Sequence, residues 1–242
     1  MDTTSTFYDA LSRYYDGIFP VDASDMDFLV GRMQGCGHIL DMGCGTGNKT
    51  VFFAGPDVSV LGIDSDRGMI DRAGGERRRE GLAYEVLDMA EIYKRFSPAS
   101  FDGVLCLGNT LVHLESEAAI TAFLVKTAEL LVPGGRFLLQ ILNYDRILDT
   151  GQNVLPLLES EQAIFRRAYV WEGATMLFST ELQVKESGAV FSDKTPLYPL
   201  RQSQLDNALR RAGFVDIVYY GSFQGQSFSK DAFVMIVECR KP

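Results

Sequence analysis

Residues 38–53 read HILDMGCGTGNKTVFF, and this stretch decides the fold that the sequence predicts. The run 38–40 predicts a short buried strand, and residues 48–53 predict the first turns of a helix. Between them lies a G-x-G-x-G loop, whose glycines let the backbone turn sharply and let a ligand approach where no Cβ intervenes. The stretch therefore predicts a strand, a glycine loop and a helix, an arrangement found in several kinds of nucleotide-binding protein.

Two features narrow the ligand that this loop would bind. Asp41 stands at the strand end before the first glycine, where its carboxylate would repel a pyrophosphate and attract a cation. The loop also lacks the G-K-[ST] ending that holds phosphates in a P-loop. An adenosine-like ligand with a positive charge therefore fits better than a dinucleotide. S-adenosylmethionine, which carries a sulfonium and an α-ammonium group, is such a ligand.

The segment DMGCGTG at residues 41–47 resembles the first motif of the class I S-adenosylmethionine-dependent methyltransferases. The resemblance extends over residues 39–142, through a Phe-Asp-x-Val motif at 101–104 and a Pro-Gly-Gly corner at 133–135. It implies an α/β, Rossmann-like fold with a seven-stranded, mostly parallel sheet in the order 3-2-1-4-5-7-6 and helices on both faces. Taken alone, the glycine loop is also compatible with a turn in some other α/β protein.

Acidic residues at strand ends supply the main predicted cofactor contacts. Asp64 follows Gly47 by 17 residues, close to the spacing at which an acidic side chain accepts hydrogen bonds from ribose hydroxyls. The alternative is that Asp64 caps the helix that begins near Arg67. The resemblance implies that Asp88 holds the adenine amino group, although a solvated loop aspartate would look the same. The full set of predicted cofactor-binding residues is Tyr14, Asp41, Gly43, Cys44, Gly45, Asp64, Ser65, Met69, Asp88, Met89, Leu107 and Gly108.

The N-terminal segment 7–19 contains two aromatic-aspartate pairs, Tyr8-Asp9 and Tyr15-Asp16, seven residues apart. On a helix this spacing places both pairs on one face. The pattern is similar to the N-terminal helix of many small-molecule methyltransferases, which implies that residues 1–34 form a helical lid over the cofactor. The alternative is an aromatic stripe that only packs against the domain.

A closer resemblance lies in residues 106–114 (CLGNTLVHL) and 143–151 (NYDRILDTG), which look like segments of glycine/sarcosine N-methyltransferase-like enzymes. This implies methyl transfer to a small molecule, at nitrogen. Those enzymes carry His-Arg before Asn-Tyr-Asp, whereas this chain has Ile141-Leu142. The loss of a polar pair makes the pocket less suited to a bare amino-acid carboxylate, which argues against glycine itself.

Methyl transfer from a sulfonium requires the nucleophile, the methyl carbon and the sulfur to be collinear, and it requires water to be excluded from the site. Tyrosines are candidates for cation–π contacts with a sulfonium or an aminium group. If the nucleophile is an oxygen or a protonated amine, His113 is the best-placed general base; a helix-start histidine bonded to backbone is the alternative. The predicted catalytic residues are His113, Asn109 and Tyr144. The predicted substrate-binding residues are Tyr8, Tyr15, Asn109, His113 and Asn143.

Alternating apolar and polar residues in 163–171, 174–186 and 189–198 predict antiparallel strands. We therefore expect residues 150–200 to form an antiparallel β insertion that caps the substrate side. The length of 242 residues predicts a single methyltransferase domain over 1–242 that includes this insertion.

Composition excludes several other classes. A net charge of −9 argues against a nucleic-acid partner, whose phosphates would be repelled. Four cysteines without C-x-x-C spacing and two histidines predict no metal site and reduced thiols, as in the cytoplasm. No apolar run reaches the roughly 18–20 residues of a membrane span, and residues 1–5 are too polar for a signal peptide. A small-molecule methyl acceptor is the expected partner, and a homodimer is one option for the assembly.

Three other functions remain compatible with the sequence. The chain could bind S-adenosylmethionine as a non-catalytic sensor or subunit, or it could methylate an oxygen of a small metabolite. A dehydrogenase is a weaker alternative, because Asp41 precedes a loop that reads G-x-G-x-G. A methyl-transfer assay separates the catalytic alternatives from the sensor.

Overall fold

The computed structural model describes residues 6–242, so the first five residues of the predicted lid and of the predicted single domain lie outside it. These residues form eleven strands and seven α-helices. The strands are β1 (His38–Met42), β2 (Ser59–Asp64), β3 (Leu82–Val86), β4 (Phe101–Cys106), β5 (Leu131–Leu142), β6 (Leu158–Glu159), β7 (Ala163–Glu172), β8 (Thr175–Val184), β9 (Val190–Leu197), β10 (Val215–Tyr220) and β11 (Val234–Arg240). The helices are α1 (Thr6–Ile18), α2 (Ala23–Arg32), α3 (Arg67–Glu76), α4 (Ile92–Arg95), α5 (Glu117–Leu130), α6 (Tyr144–Thr150) and α7 (Gln202–Arg211).

Seven strands form the central sheet in the order β10-β11-β5-β4-β1-β2-β3. The pairs from β5 to β3 are parallel, and β11 lies antiparallel between β5 and β10. Counted along the chain, the seven strands follow the order 3-2-1-4-5-7-6, so the predicted fold is confirmed. No helix among the described residues has the length and apolarity to cross a bilayer.

Helices cover both faces of the central sheet, as a mostly parallel sheet requires. Side chains alternate between the faces along each strand, so Ile39 packs toward Leu29 of α2 while its neighbour Leu40 packs in the cluster that contains α5 and α7. In the same way Leu138 of β5 packs in the cluster that contains α2, and Phe137 packs in the cluster that contains α5 and α7. The two buried layers hold the strand ends, and therefore the site, in fixed positions.

The segment after the glycine loop differs from the prediction. Instead of a helix over 48–53, only a short 3₁₀ turn forms at Thr50–Phe52. Valine and phenylalanine are modest helix formers, and Pro56 follows closely, so the chain turns back toward β2 before a full helix can develop. The glycine loop is consequently followed by a compact turn that lies beside β1.

The second sheet is antiparallel, with strands in the order β6-β7-β8-β9, and it lies within the predicted insertion 150–200. Helix α1 packs against this sheet through Phe7 and Leu11, which share an apolar cluster with Phe165 of β7 and Met69 of α3. Helix α1 therefore bridges the cap sheet, our name for β6–β9, and the Rossmann-like part of the molecule.

Close packing around the glycine loop generates a stability prediction. A Cβ at Gly47 would lie 2.3 Å from the Tyr84 hydroxyl, and its φ of +71° is left-handed, whereas Gly35 has a φ of +85° and open space around it. We expect Gly47→Ala to lower the free energy of unfolding by about 1–3 kcal/mol more than Gly35→Ala, because it adds overpacking to the same backbone strain. Urea unfolding followed by circular dichroism measures the difference. Equal losses in the two variants would contradict this packing.

Candidate active site

A cavity of about 710 Å³ opens at the carboxyl ends of the parallel strands. It lies beside the point where β1 and β4 are neighbours and the strand order reverses, which is where open α/β sheets bind ligands. Its volume is within the usual range for small-molecule sites, roughly 300–1,000 Å³. The glycine loop, α1, the ends of β2, β4 and β5, and the cap sheet all contribute to its walls.

Most of the predicted site residues meet in this one cavity. Those that line it are Tyr8, Tyr15, Asp41, Gly43, Cys44, Gly45, Asp64, Ser65, Met69, Asp88, Met89, Leu107, Gly108, Asn109 and His113. Three predicted residues, Tyr14, Asn143 and Tyr144, do not line it. Other residues that line the cavity were not among the predicted site residues, and they include Phe19, Lys49, Gln140, Phe165, Arg167 and Phe178.

The glycine loop has a backbone shape that side chains would disturb. Gly43, Gly45 and Gly47 all have positive φ angles, of +72°, +57° and +71°. The amides of Gly43 and Cys44 both donate to the carbonyl of Ile63, which ties the loop to the end of β2. A Cβ at Gly43 would lie 2.4 Å from the Thr110 side chain. The loop therefore keeps bare backbone exposed at the floor of the cavity.

Asp64 ends β2 and braces the loop from the side. Its carboxylate accepts from the amides of Gly45 and Asp66, each at 2.9 Å. The alternative role as the cap of α3 is wrong, because Asp66 caps that helix by accepting from Met69 at 2.8 Å. Burial raises the pKa of Asp64, and the two backbone amides offset part of that shift. A carboxylate has about four lone-pair sites, so acceptor capacity remains for a ligand.

Asp41 is almost fully buried at the end of β1, where it borders the cavity and accepts from the Thr50 hydroxyl at 2.7 Å. Burial raises its pKa to about 6, while Thr50 and the nearby Lys49 oppose the shift. Lys49 also lines the cavity, with its ammonium 5.6 Å from the centre of the Phe223 ring. Asp41 and Lys49 therefore both belong to this end of the cavity wall, and the Lys49 ammonium lies over Phe223, which does not line the cavity.

The far end of the cavity has one acidic and several apolar walls. Asp88 follows β3 and caps a short 3₁₀ turn by accepting from Ala90 at 2.8 Å. Met69, Leu87 and Met89 provide apolar surface around it. A flat aromatic ring with an amino group at its edge suits such a slot, because it needs both apolar faces and an acceptor.

Asn109 projects from the loop after β4 in the left-handed conformation, with φ of +71°. Its side-chain oxygen accepts from the Leu142 amide at 3.0 Å, and its amide donates to the Tyr144 hydroxyl at 3.0 Å. The neighbouring Gly108 amide donates to the Gln140 side chain at 2.8 Å. These contacts hold a sparsely populated backbone shape, which is typical of functional sites.

The predictions for Tyr144, Asn143 and Tyr14 need correction. Tyr144 is fully buried behind Asn109, so it holds a residue of the cavity wall and does not itself reach a substrate. Asn143 is also buried, and it caps α6 while its amide donates to the carbonyls of Lys230 and Ala232. Tyr14 packs against the apolar cluster beneath α1. The side chains of these three residues therefore pack within the protein or hold other segments in place, and they do not line the cavity.

The acceptor end of the cavity combines aromatic walls with one histidine. Tyr15, Phe19 and Phe165 lie close together there, with ring centres 4.7 Å apart for the first pair and 5.8 Å for the second. The His113 side chain is exposed to the cavity, and its ring makes no hydrogen bond to residues 6–242. The surrounding protein shields His113 from bulk water and lowers its pKa. This shift favours the neutral imidazole, which has one acceptor nitrogen.

Polar contacts fasten α1 to the glycine loop. Asp16 accepts from the Thr46 hydroxyl at 2.6 Å and pairs with Arg77 at the end of α3. Asn48 donates to the carbonyl of Phe19 at 3.1 Å. These contacts place α1 along one side of the cavity, beside both the loop and the cap sheet.

The residues present fit S-adenosylmethionine, because bare loop backbone, a strand-end carboxylate with free acceptor capacity and an apolar slot line one cavity. A methyltransferase domain profile matches residues 39–135. The matched segment runs from β1 past β4 and contains the glycine loop, and the order of the central sheet is the one that the resemblance to class I S-adenosylmethionine-dependent methyltransferases implies.

Several named proteins are similar to this chain. Glycine N-methyltransferase of Rattus norvegicus is 34% identical over 134 residues, which are 50% of this chain and 45% of that protein. The chain thus spans less than half of that relative. Glycine/sarcosine N-methyltransferase of Halorhodospira halochloris is 24% identical over 251 residues, with 97% and 89% covered.

Solved structures share the fold. The CcbJ methyltransferase of Streptomyces caelestis superposes with a TM-score of 0.79 at 20% identity, and 98% of each chain is covered. The S-adenosylmethionine-bound amino pentose methyltransferase CalS10 of Micromonospora echinaspora superposes with a TM-score of 0.67 at 20% identity, with 96% of this chain and 97% of that chain covered. At these identities the likeness concerns the fold.

A first prediction concerns Asp64. We expect Asp64→Ala to weaken the binding of S-adenosylhomocysteine by about 1–3 kcal/mol, because a charged acceptor for the ribose hydroxyls is lost. Isothermal titration measures the affinity, and Asp57→Ala, which removes an exposed carboxylate outside the cavity, is the control. An unchanged affinity in the Asp64 variant would remove the ribose role.

A second prediction concerns pH. The pKa of Asp41 is about 6, so its carboxylate becomes neutral as the pH falls below that value. A cationic ligand favours the charged form, so we expect S-adenosylmethionine to bind more weakly at pH 5 than at pH 7.5, by up to about tenfold per pH unit below the pKa. In Asp41→Asn this component of the pH dependence should disappear. A variant with the same pH profile as the wild type would contradict the assignment.

Proposed function

We propose that this protein transfers the methyl group of S-adenosylmethionine to a nitrogen atom of a small-molecule acceptor. The observation that carries the proposal is the composition of a single cavity, which joins a carboxylate-lined end to an aromatic chamber under the cap sheet. The first end suits an adenosyl cation, and the second suits an uncharged or cationic amine. The net charge of −9 supports a small acceptor over a nucleic acid.

In this proposal each part of the cofactor has a partner in the chain. Asp64 accepts from the ribose hydroxyls, and Asp88 accepts from the adenine amino group. Asp41, the glycine loop and the Leu107–Gly108 backbone receive the α-ammonium end. Lys49, which lines the cavity and has Asp25 and Asp41 as its charged neighbours, is the counter-ion of the methionine carboxylate.

S-adenosylmethionine, when bound, supplies a methyl carbon that is already activated by the sulfonium. The chain itself must align the acceptor nitrogen with that carbon and exclude water, and alignment of this kind can contribute roughly 7 kcal/mol or more. Asn109, held by Leu142 and Tyr144, is positioned to orient the acceptor by a hydrogen bond. Tyr15 offers an aromatic face to a positive charge.

His113 is the proposed base for an acceptor that arrives as an ammonium ion. Its ring lines the cavity and makes no hydrogen bond to residues 6–242, so a ring nitrogen is free to take the proton and release the nitrogen lone pair. Burial lowers the pKa of the ring, which makes it a weaker base than a solvated histidine. The choice of nitrogen is supported by the glycine and glycine/sarcosine N-methyltransferases that match this chain. We further propose a cytoplasmic location, which is supported by four buried, unpaired cysteines.

The test is an assay of methyl transfer from labelled S-adenosylmethionine to a panel of small amines and matched alcohols, with products identified by mass spectrometry. An N-methylated product together with S-adenosylhomocysteine supports the proposal. Transfer only to alcohols would replace it with O-methylation. Tight binding of S-adenosylhomocysteine without any transfer would favour a non-catalytic sensor.

We also propose that α1 acts as a lid over the bound cofactor. Its attachment through Asp16 to Thr46 and Arg77 supports this role. We expect Asp16→Asn to accelerate the release of S-adenosylhomocysteine roughly tenfold, since about 1–2 kcal/mol of closing interaction is lost. Stopped-flow fluorescence measures the rate. Asp9→Asn, which removes an exposed ion pair with Arg13 on the same helix, should leave it unchanged, and equal effects of the two variants would refute the lid.

A further inference from the structure

The cap sheet places one arginine in the wall of the cavity. Arg167 lies in β7, where residues alternate between the two faces of the sheet, so it shares its face with Phe165 and Tyr169. Both Arg167 and Phe165 line the cavity. The preceding Arg166 lies on the opposite face, where it forms an exposed ion pair with Glu181 at 2.9 Å. The two neighbouring arginines thus have different environments.

Arg167 has no carboxylate partner within ion-pair distance among residues 6–242, whereas Arg166 has one. Within the same residues only one hydrogen bond from its guanidinium is formed, from Nη2 to the Pro156 carbonyl at 2.9 Å. Its Nε is buried without an acceptor. The guanidinium lies 5.8 Å from the ring centres of both Phe19 and Phe165. Burial lowers the pKa of this group, so the protein alone compensates its charge poorly.

The charges of the cavity are unevenly distributed. Its four carboxylates, Asp41, Asp64, Asp66 and Asp88, all lie at strand ends β1 to β3 or just after them, on the side assigned above to the cofactor. Lys49, beside the glycine loop, is already matched in the proposed function with the carboxylate of the cofactor. Arg167 is the remaining cation of the cavity wall within the described residues, and it lies on the cap sheet.

We propose that Arg167 binds an oxyanion on the methyl acceptor, so that the substrates are amines that also carry a carboxylate or a phosphate group. A guanidinium is suited to such a group, because its planar donors match two oxygens at once. The proposal rests on the proposed function and deepens it by naming the substrate class. It also assigns the anion site to the cap sheet. At the end of β5 this chain offers no charge, because Ile141-Leu142 stand where the glycine/sarcosine N-methyltransferase-like enzymes carry His-Arg.

The first experiment measures anion binding to the protein saturated with S-adenosylhomocysteine. Sodium acetate and inorganic phosphate are titrated separately at constant ionic strength, with sodium chloride as the reference, and the thermal midpoint and the heat of binding are recorded. Saturable stabilisation by acetate indicates a carboxylate acceptor, and stabilisation by phosphate indicates a phosphate ester. No effect of either anion beyond that of chloride would overturn the proposal.

The second experiment repeats these titrations on variants. We expect Arg167→Met to weaken anion binding by at least about tenfold, because a charge-assisted contact is lost, and Arg167→Lys to retain part of it. Arg166→Met, the matched control on the other face, should bind anions like the wild type. If Arg167→Met does not fold, Arg167→Gln takes its place. Anion binding that survives the loss of the guanidinium would refute the assignment.

A third measurement separates this proposal from the proposed function. The affinities of S-adenosylhomocysteine and of 5′-methylthioadenosine, which lacks the amino-acid part, are compared in the wild type and in Arg167→Met. Unchanged affinity for both ligands keeps Arg167 on the acceptor side. A selective loss for S-adenosylhomocysteine would assign Arg167 to the cofactor carboxylate and overturn the proposal. Absence of cofactor binding in the wild type would instead refute the proposed function.

Discussion

Carboxylates gathered at the ends of adjacent parallel strands are the constraint on which the rest of the site depends. The register of β1, β2 and β3 pairs Asp41 with Gly62 and Asp64 with Val86, so that both carboxylates and Asp88 lie along one edge of the sheet. Burial raises the pKa of Asp41 and of Asp64, and repulsion from a nearby carboxylate adds to each shift, from Asp64 in the first case and from Asp66 in the second. Backbone amides offset part of this cost. A cationic ligand with hydroxyl donors would offset more, which is why this edge favours an adenosyl sulfonium.

The remaining walls complete the site around this edge. The glycine loop supplies exposed backbone where side chains would collide with Thr110, and the loop in turn is held by the carbonyl of Ile63. Helix α1 and the cap sheet contribute the aromatic surface opposite the strands. Different elements therefore serve the two tasks of the site, which are to bind the cofactor and to exclude water. In the proposed function the ends of the parallel strands bind the cofactor, and α1 and the cap sheet shape the chamber where the acceptor would lie.

The sequence predicted those features that depend on local pattern. Buried strands that end in glycines or aspartates indicated the sheet, and the family resemblance implied the order of its strands. Most of the residues predicted to bind the cofactor line the cavity, as expected. It was less successful where side-chain direction depends on packing between distant segments. Tyr144 and Asn143 have hydrogen-bonding partners 35 or more residues away, and no local pattern shows that these partners hold them outside the cavity. Lys49 and Arg167 were missed because packing between distant segments brings their side chains to the cavity wall, which no local pattern shows. Alternation along β7 could have placed Arg167 on the face of Phe165, but not toward the cavity.

The crystal structure of the protein with S-adenosylhomocysteine is the most direct test of the central claim. We predict the ribose hydroxyls within about 2.5–3.2 Å of the Asp64 carboxylate, the adenine beside Asp88, and the amino-acid part over the glycine loop near Asp41. A ligand bound in the reverse orientation, or outside the cleft at the strand ends, would contradict the claim that this row of carboxylates determines how the cofactor binds.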